Sequence, residues 1–326
     1  MKLITPEECA ARLKELSGSI TVLTHANPDG DTVGSACALV RILRALGKDV
    51  YAFCPDPIPF RYMFLLEDGL FVRTLPDAKQ TFVAVDIPSS AQLGKDAKTF
   101  DRKIHILIDH HISNTLDADY KLVMSEKSAA GEIVYILMGL LGGKPDVPTA
   151  EALYAAIASD SGGFRFSSTS PQTHETAAAL LETGIDFAKI NRFIFDTITD
   201  GEFKIAKLAY SILEKRCCGR VAVLCFTNGM LADAGIEKPE YGDTVQLGRR
   251  LEGVEVGITL KPDGDNSFRV SLRSNEYVNV SEIAQAFGGG GHYFAAACRI
   301  DGSPEDAVNA VVAETEKRLE KLDNTY

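Results

Sequence analysis

The sequence predicts an α/β fold in two parts, a doubly wound and mostly parallel sheet followed by a smaller α/β domain with a mixed sheet. Three observations carry this prediction. Through the first half, short apolar runs alternate with stretches of three- and four-residue apolar spacing, the mark of βα units whose strands are covered on both faces. After Asp160 the alternation stops, and consecutive helical patterns precede a return of strand character. The chain also has 326 residues, more than one core usually holds, so two domains are expected.

The opening MKLITPEECAARLKEL reads as the start of an amphipathic helix rather than a secretion signal. Residues 20–23 (ITVL) form a strand run. Residues 32–46 place Val33, Cys37, Val40, Leu43 and Leu46 on one helical face, with Gly47 at the C-terminal stop. Residues 50–53 are a second strand, ended by CPDPIP, and 81–85 (TFVAV) and 104–108 (IHILI) are two more. Residues 128–141 and 149–159 read as helices, as do 171–183, 187–195 and 201–213. Strands are expected at 221–226, 254–260 and 268–272, a short helix at 280–287 and a last one from about 304 to 322. The expected division is a first domain at 1–190, a helical connector at 191–216 and a second domain at 217–326.

Composition narrows the function. With 45% apolar and 24% charged residues the chain is an ordinary globular one. The longest apolar candidate, residues 133–141, is far short of the roughly 18 residues a spanning helix needs, so no membrane partner is expected. The seven cysteines are scattered without a C-x-x-C and are expected to be reduced thiols in a cytoplasmic protein. A formal charge of −11 argues against tracking along duplex DNA, which takes many cationic contacts. A short phosphorylated ligand held at one local site remains compatible with it.

Chemistry concentrates just after the strands. ITVLT is followed by His25-Ala26-Asn27-Pro28-Asp29-Gly30-Asp31, TFVAV by Asp86, and IHILI by Asp109-His110-His111; Asp160 closes the helix LYAAIAS. In open α/β sheets ligands bind outside the carboxyl ends of the strands, so these clusters should converge. Each has a plainer reading: an aspartate after a strand is most often a helix N-cap, and Asn-Pro-Asp-Gly is good turn chemistry. The joint pattern suits two metal ions better. Hard dications take oxygen with some imidazole, and four carboxylates (Asp29, Asp31, Asp86, Asp160) balance two of them. A pair of close ions also needs a shared carboxylate. Manganese is the first expectation, with Mg²⁺ or Co²⁺ as alternatives.

These motifs resemble the DHH phosphoesterase superfamily. HANPDGDTVGS is similar to its first motif, Asp86 to its second, Asp109-His110-His111 to its third and Asp160 to its fourth. Gly288-Gly289-Gly290-Gly291-His292 is similar to the DHH-associated C-terminal domain, and the two-part length most resembles the bifunctional oligoribonuclease and PAP phosphatase group, PAP being adenosine 3′,5′-bisphosphate. The resemblance implies that His25 and Asp29 hold one metal, that Asp31, His110 and Asp160 hold the other, and that Asp86 bridges them. It implies that His111 faces the scissile phosphate while Asp109 orients its neighbours.

The glycine run Gly288–Gly291 could turn its N–H groups inward as an anion nest, with His292 as an added donor. Ser271, Arg273 and Asn275 alternate along one strand and so share a face, where Arg273 could clamp a phosphate. Arg165, in Phe164-Arg165-Phe166, is a further phosphate candidate. Tyr277, Tyr293 and Phe294 are assigned to core packing, although one of them could stack on a base. The implied activity is metal-dependent hydrolysis of short single-stranded RNA, linear dinucleotides or nucleoside bisphosphates, in a chain that the resemblance allows to be a homodimer. Competing readings are an inorganic pyrophosphatase, a longer-range single-strand exonuclease and a catalytically silent nucleotide sensor.

Overall fold

The structure is a computed structural model that describes residues 2–67, 69–75, 80–100 and 104–323. The chain forms two compact units, Met1–Thr197 and Ile198–Tyr326.

The first unit is built on strands β1 (Lys2–Leu3), β2 (Ser19–Leu23), β3 (Asp49–Phe53), β4 (Phe71–Val72), β5 (Gln80–Val85), β6 (Ile104–Asp109) and β7 (Tyr120–Val123). Its helices are α1 (Pro6–Glu15), α2 (Gly30–Ala45), α3 (Ala97–Phe100), α4 (Ala130–Leu140), α5 (Val147–Asp160), α6 (Pro171–Leu181) and α7 (Phe187–Phe195). The seven strands make one sheet in the order β1-β7-β6-β5-β2-β3-β4, and every pairing is parallel. From β2 the chain winds outward one way to β3 and β4, then returns to place β5 on the other side of β2. The topological switch therefore lies between β2 and β5, where a ligand crevice is expected. The short strands β1, β4 and β7 escaped the sequence reading. Two-residue strands carry no periodicity, and β7 hides behind Lys121, which is buried in mid-strand.

Glycines set the helix spacing beside the switch point. A Cβ on Gly34 of α2 would lie 2.4 Å from the Ala152 carbonyl oxygen of α5, one on Gly30 2.5 Å from Ser159, and one on Gly131 of α4 2.7 Å from the Ala156 Cβ. Only bare backbone allows α2, α4 and α5 to come this close. Gly34→Ala is expected to cost about 1–3 kcal/mol through overpacking and to lower the melting temperature of the metal-free protein by several degrees. An unchanged melting curve would contradict the close approach.

The second unit holds α8 (Asp200–Ile212), β8 (Glu214–Arg216), β9 (Val221–Cys225), α9 (Asn228–Asp233), β10 (Val256–Pro262), β11 (Ser267–Ser274), α10 (Val280–Gln285), β12 (Gly290–His292), β13 (Ala295–Asp301) and α11 (Pro304–Asp323). Its sheet runs β12-β13-β11-β10-β9-β8, with β9 and β10 parallel and the other pairs antiparallel. One face carries Val221, Val223, Val256, Ile258, Phe268, Val270 and Leu272 into a core with Val280, Ile283 and Val311. The stretch 191–216 is not a separate connector. Ile190 and Ile194 of α7 belong to the first unit's core, while Ile205 and Ala209 of α8 pack with Leu224 and Phe226 of the second. No helix among the described residues is long and apolar enough to cross a membrane.

Candidate metal centre and second-unit surface

Strand order brings the first-unit motifs together. β6, β5 and β2 are consecutive neighbours, so Asp109-His110-His111, Asp86 and His25 leave the sheet side by side, at the ~4.8 Å spacing of adjacent strands. Asp29 and Asp31 follow at the N-terminus of α2, and Asp160 ends α5, which packs against α2. Asp86 has φ +59°, a left-handed conformation rare outside glycine, and its N–H donates to the Ile108 carbonyl at 2.9 Å.

The donor atoms form two groups that share Asp86. His25 Nε2 lies 3.5 Å from Asp29 Oδ1 and 3.6 Å from Asp86 Oδ2. His110 Nε2 lies 3.7 Å from Asp31 Oδ2, 3.4 Å from Asp160 Oδ2 and 3.6 Å from Asp86 Oδ1. These separations, 3.4–3.7 Å, are too long for good hydrogen bonds and lie at or just above the about 3–3.5 Å between ligands about 2.1 Å from a common ion. Both rings are turned with Nε2 inward. His25 Nδ1 is held by the Ala26 carbonyl at 2.9 Å and His110 Nδ1 by the Lys127 carbonyl at 3.1 Å, an arrangement that turns each Nε2 toward the carboxylates. His110 Nε2 and Asp86 Oδ1 are buried without any hydrogen-bond partner. Unpartnered polar atoms in a buried pocket are costly, and a divalent cation removes that cost; the residues fit such an ion. Asp86 is 2% exposed, and its carboxyl is pushed well above the usual carboxylate range, by burial first and then by Asp31, Asp29, Asp160 and Asp109.

The plainer readings of these residues are partly true. Asp29 is the N-cap of α2, with Oδ1 accepting from the N–H groups of Asp31 and Thr32 at 3.1 Å each. Asp31 caps a different helix: Oδ2 accepts from Ala130 N at 2.6 Å, and Oδ1 from Gly131 N at 3.0 Å and Ser35 Oγ at 2.9 Å. α4 needs this, because its own N-cap residue, Ala129, has no side-chain acceptor. Asp109 is fully buried and accepts from His110 N at 2.8 Å, His111 Nδ1 at 2.9 Å and the Asn114 amide. It thereby fixes the His111 ring, which is about three-tenths exposed and whose Nε2 makes no hydrogen bond among the described residues. Asn114 and the Lys127 carbonyl were missed from sequence. A poor capping residue before a strong helix, Ala129, was the readable sign that a distant group caps α4.

Arg165 is not drawn to this cluster. Its Nε donates to the Gly162 carbonyl of its own turn, and its guanidinium lies 5.8 Å from the centre of the Phe195 ring. His105 pairs with Asp119 at 2.8 Å and packs edge-on against the Tyr120 ring.

In the second unit, register aligns the remaining candidates. On the face opposite the core, His292 pairs with Ala295, Ala295 with Arg273 and Arg273 with Gly257, making one row across four strands. The next row is Gly290, Ala297, Ser271 and Thr259. His292 and Arg273 are thus two strands apart, about 10 Å at Cα, over a floor of small residues. Arg273 is half-buried, with its guanidinium lowered from its usual range by burial and by Arg249.

Three expectations need correction. Asn275 lies beyond the end of β11, and its amide donates to the carbonyls of Arg249 and Val254 at 2.9 and 2.8 Å, so it braces a loop. The glycine run is not a four-residue nest. The N–H groups of Gly288 and Gly289 close the end of α10 on the carbonyls of Gln285 and Ala284 at 3.0 and 2.9 Å, and Gly290 and Gly291 join β12. Gly289 and Gly291 are needed because a Cβ would meet the Ala297 and Ala295 carbonyl oxygens at 2.2 and 2.5 Å. Finally, Tyr277, Tyr293 and Phe294 are not core residues: they are 40%, 46% and 44% exposed.

Comparison with known proteins agrees with this arrangement. The DHH family N-terminal domain matches residues 19–157 and the DHHA1 domain residues 219–321. The bifunctional oligoribonuclease and PAP phosphatase NrnA of Thermus thermophilus is 32% identical over 307 residues, covering 93% of this chain and 90% of that one. The Bacillus subtilis protein of the same description is 26% identical, covering 89% and 91%. Among solved structures, an exopolyphosphatase-related protein from Bacteroides fragilis superposes with a TM-score of 0.85 at 21% identity, covering 96% of each chain.

Proposed function

Since the chain belongs to the DHH family and carries a DHHA1 domain, we propose that it is a two-metal phosphoesterase of the cytoplasm that cleaves short oligoribonucleotides and linear dinucleotides to 5′-mononucleotides, and PAP to AMP and phosphate. The observation that carries this reading is the buried, unpartnered pair of Asp86 Oδ1 and His110 Nε2 at the join of two donor groups. The relatives named as oligoribonuclease and PAP phosphatase support the choice of substrate.

His25, Asp29 and Asp86 would hold one ion, and Asp31, His110, Asp160 and Asp86 the other, with Mn²⁺ the first choice over Mg²⁺ and Co²⁺. Such ions supply a water nucleophile at neutral pH and neutralise charge on the phosphoryl oxygens. The chain's own part is positional. The Ala26 and Lys127 carbonyls keep the Nε2 atoms of His25 and His110 turned toward the carboxylates. Asp109 holds His111 so that its Nε2 can meet a phosphoryl oxygen. In the second unit, Arg273 and His292 would take a second phosphate of the substrate, with Ser271 beside them and the exposed backbone of Gly290 and Gly291 along the edge.

The test is a substrate panel of pApA, a five-nucleotide RNA, a long RNA, PAP and pyrophosphate, each with Mn²⁺ and with EDTA. Release of AMP from the short substrates that stops with EDTA is the expected result. Hydrolysis of pyrophosphate alone would overturn the substrate reading, and silence on the whole panel would favour a nucleotide sensor. Arg273→Ala and His292→Ala are each expected to raise KM for pApA about 10- to 100-fold, the worth of a charge-assisted contact. Hydrolysis of bis(p-nitrophenyl) phosphate, which has no second phosphate, should change far less. Equal losses on both substrates would refute the assigned division of labour.

A further inference from the structure

Beyond the row of Arg273 and His292, the same face of the second-unit sheet, covered over β9 but not over β11 and β13, carries another row of cations. Lys261 pairs with Arg269 across β10 and β11, and Arg269 with Arg299 across β11 and β13. Directly opposed like charges destabilise a sheet. The fold relieves one of the three: Arg299 meets Asp263 at 3.2 Å and Asp301 at 3.7 Å. Among the described residues Lys261 and Arg269 meet no carboxylate, in a chain whose formal charge is −11. Lys261 is held in place by the Tyr241 ring, 4.7 Å from its ammonium, rather than extended into water. Burial, and then Arg273 and Arg269, push the Lys261 amine down to about 8. Between the two cationic rows lie Ser271, Ala297 and Gly290, small and half-buried or exposed, which do not obstruct a chain running along β11 and β13; Thr259, the β10 member of that row, is buried.

We infer that Lys261 and Arg269 form a second phosphate subsite, which takes a phosphodiester of a single-stranded oligonucleotide farther along the chain than the one met by Arg273. Arg269 stands four residues from Arg273 on one strand, about 13 Å at Cα. That displacement along β11 separates two phosphates of one strand rather than two oxygens of one phosphate. A dinucleotide fills the Arg273 row alone, whereas a chain of four or five nucleotides reaches both rows. This rests on the proposed reading that the substrate is an oligonucleotide, and it adds a length-sensing element to it.

The experiment compares wild type, Lys261→Gln and Arg269→Gln on pApA and on a five-nucleotide RNA. In parallel, binding of a fluorescent five-nucleotide RNA to the EDTA-treated protein is followed by anisotropy across a salt series. Each variant is expected to raise KM for the pentanucleotide about ten-fold more than for pApA. Each should also reduce the slope of log affinity against log salt by about 0.7, the value for one lost phosphate contact on a single strand. Equal shifts on both lengths, or an unchanged salt slope, would overturn the subsite. Arg269 is exposed, so its variant keeps the test open if Lys261→Gln does not fold. The anisotropy arm reads the subsite even if the substrate panel fails, which separates the two proposals.

Discussion

Asp86→Asn is expected to abolish turnover and, at the same time, to raise the melting temperature of the metal-free protein. The loss follows from its place in both donor groups: its two oxygens face His25 and His110 separately, so one substitution weakens both ion sites. A fall in kcat on the order of 10³-fold or more, about 4 kcal/mol, is the expected scale when a metal-activated nucleophile is lost. The gain in stability follows from charge. Without metal, a buried carboxylate here faces four others and leaves one oxygen unpartnered. A neutral amide of the same shape removes that repulsion and should add about 1–2 kcal/mol, a rise of several degrees. Mn²⁺ titration calorimetry reads the first effect, and thermal unfolding in EDTA the second. Full metal occupancy with normal turnover would remove the bridging role. An unchanged melting curve would show that the carboxylate is not under electrostatic stress.

Asp31→Ala should have the opposite effect on stability with the same effect on metal. Asp31 accepts two backbone N–H groups at the start of α4, and both become buried and unpaired in the variant. The loss of a helix cap together with unsatisfied donors is expected to cost about 2–3 kcal/mol. In a unit of this size that lowers the melting temperature by about 4–12 °C. Denaturant unfolding in EDTA isolates this from the metal. Asp31→Asn, whose amide oxygen can still accept one of the two N–H groups, should recover part of the stability and none of the metal binding. Equal stability of Asp31→Ala and wild type without metal would show that the capping bonds carry no net free energy. The pair of variants separates two jobs that neighbouring carboxylates do in one pocket.

The first unit's sheet was legible because its inner strands are buried on both faces and so read as continuous apolar runs. Their order could not be read, yet order is what sets β2, β5 and β6 side by side. The motifs pointed to the candidate metal centre because several groups of the same chemistry follow strands in turn. What stayed hidden lies in backbone and register: the Ala26 and Lys127 carbonyls, the cross-chain cap by Asp31, and the bracing role of Asn275. A sequence shows residue types but not which backbone groups are left unsatisfied. In the second unit, alternation put Ser271 and Arg273 on one face. It could not extend that face to Lys261, because the partner strand's register is set by a turn and not by composition. The exposed Tyr293 and Phe294 defeated the default that large aromatics are buried.

The left-handed backbone at Asp86 has a consequence for how this position drifts. A glycine there would relieve the strained φ, worth about 1–3 kcal/mol, along with the buried charge. On the proposed role of Asp86, the most comfortable residues at position 86 are therefore those that would end catalysis. A mutant library sorted only for folded protein should accumulate glycine and asparagine at this position. The same library sorted for growth on the enzyme's product should hold aspartate against that gradient. A lineage that has given up hydrolysis and kept binding would be expected to lose this residue early, so position 86 serves as a clock for how long selection on turnover has been relaxed.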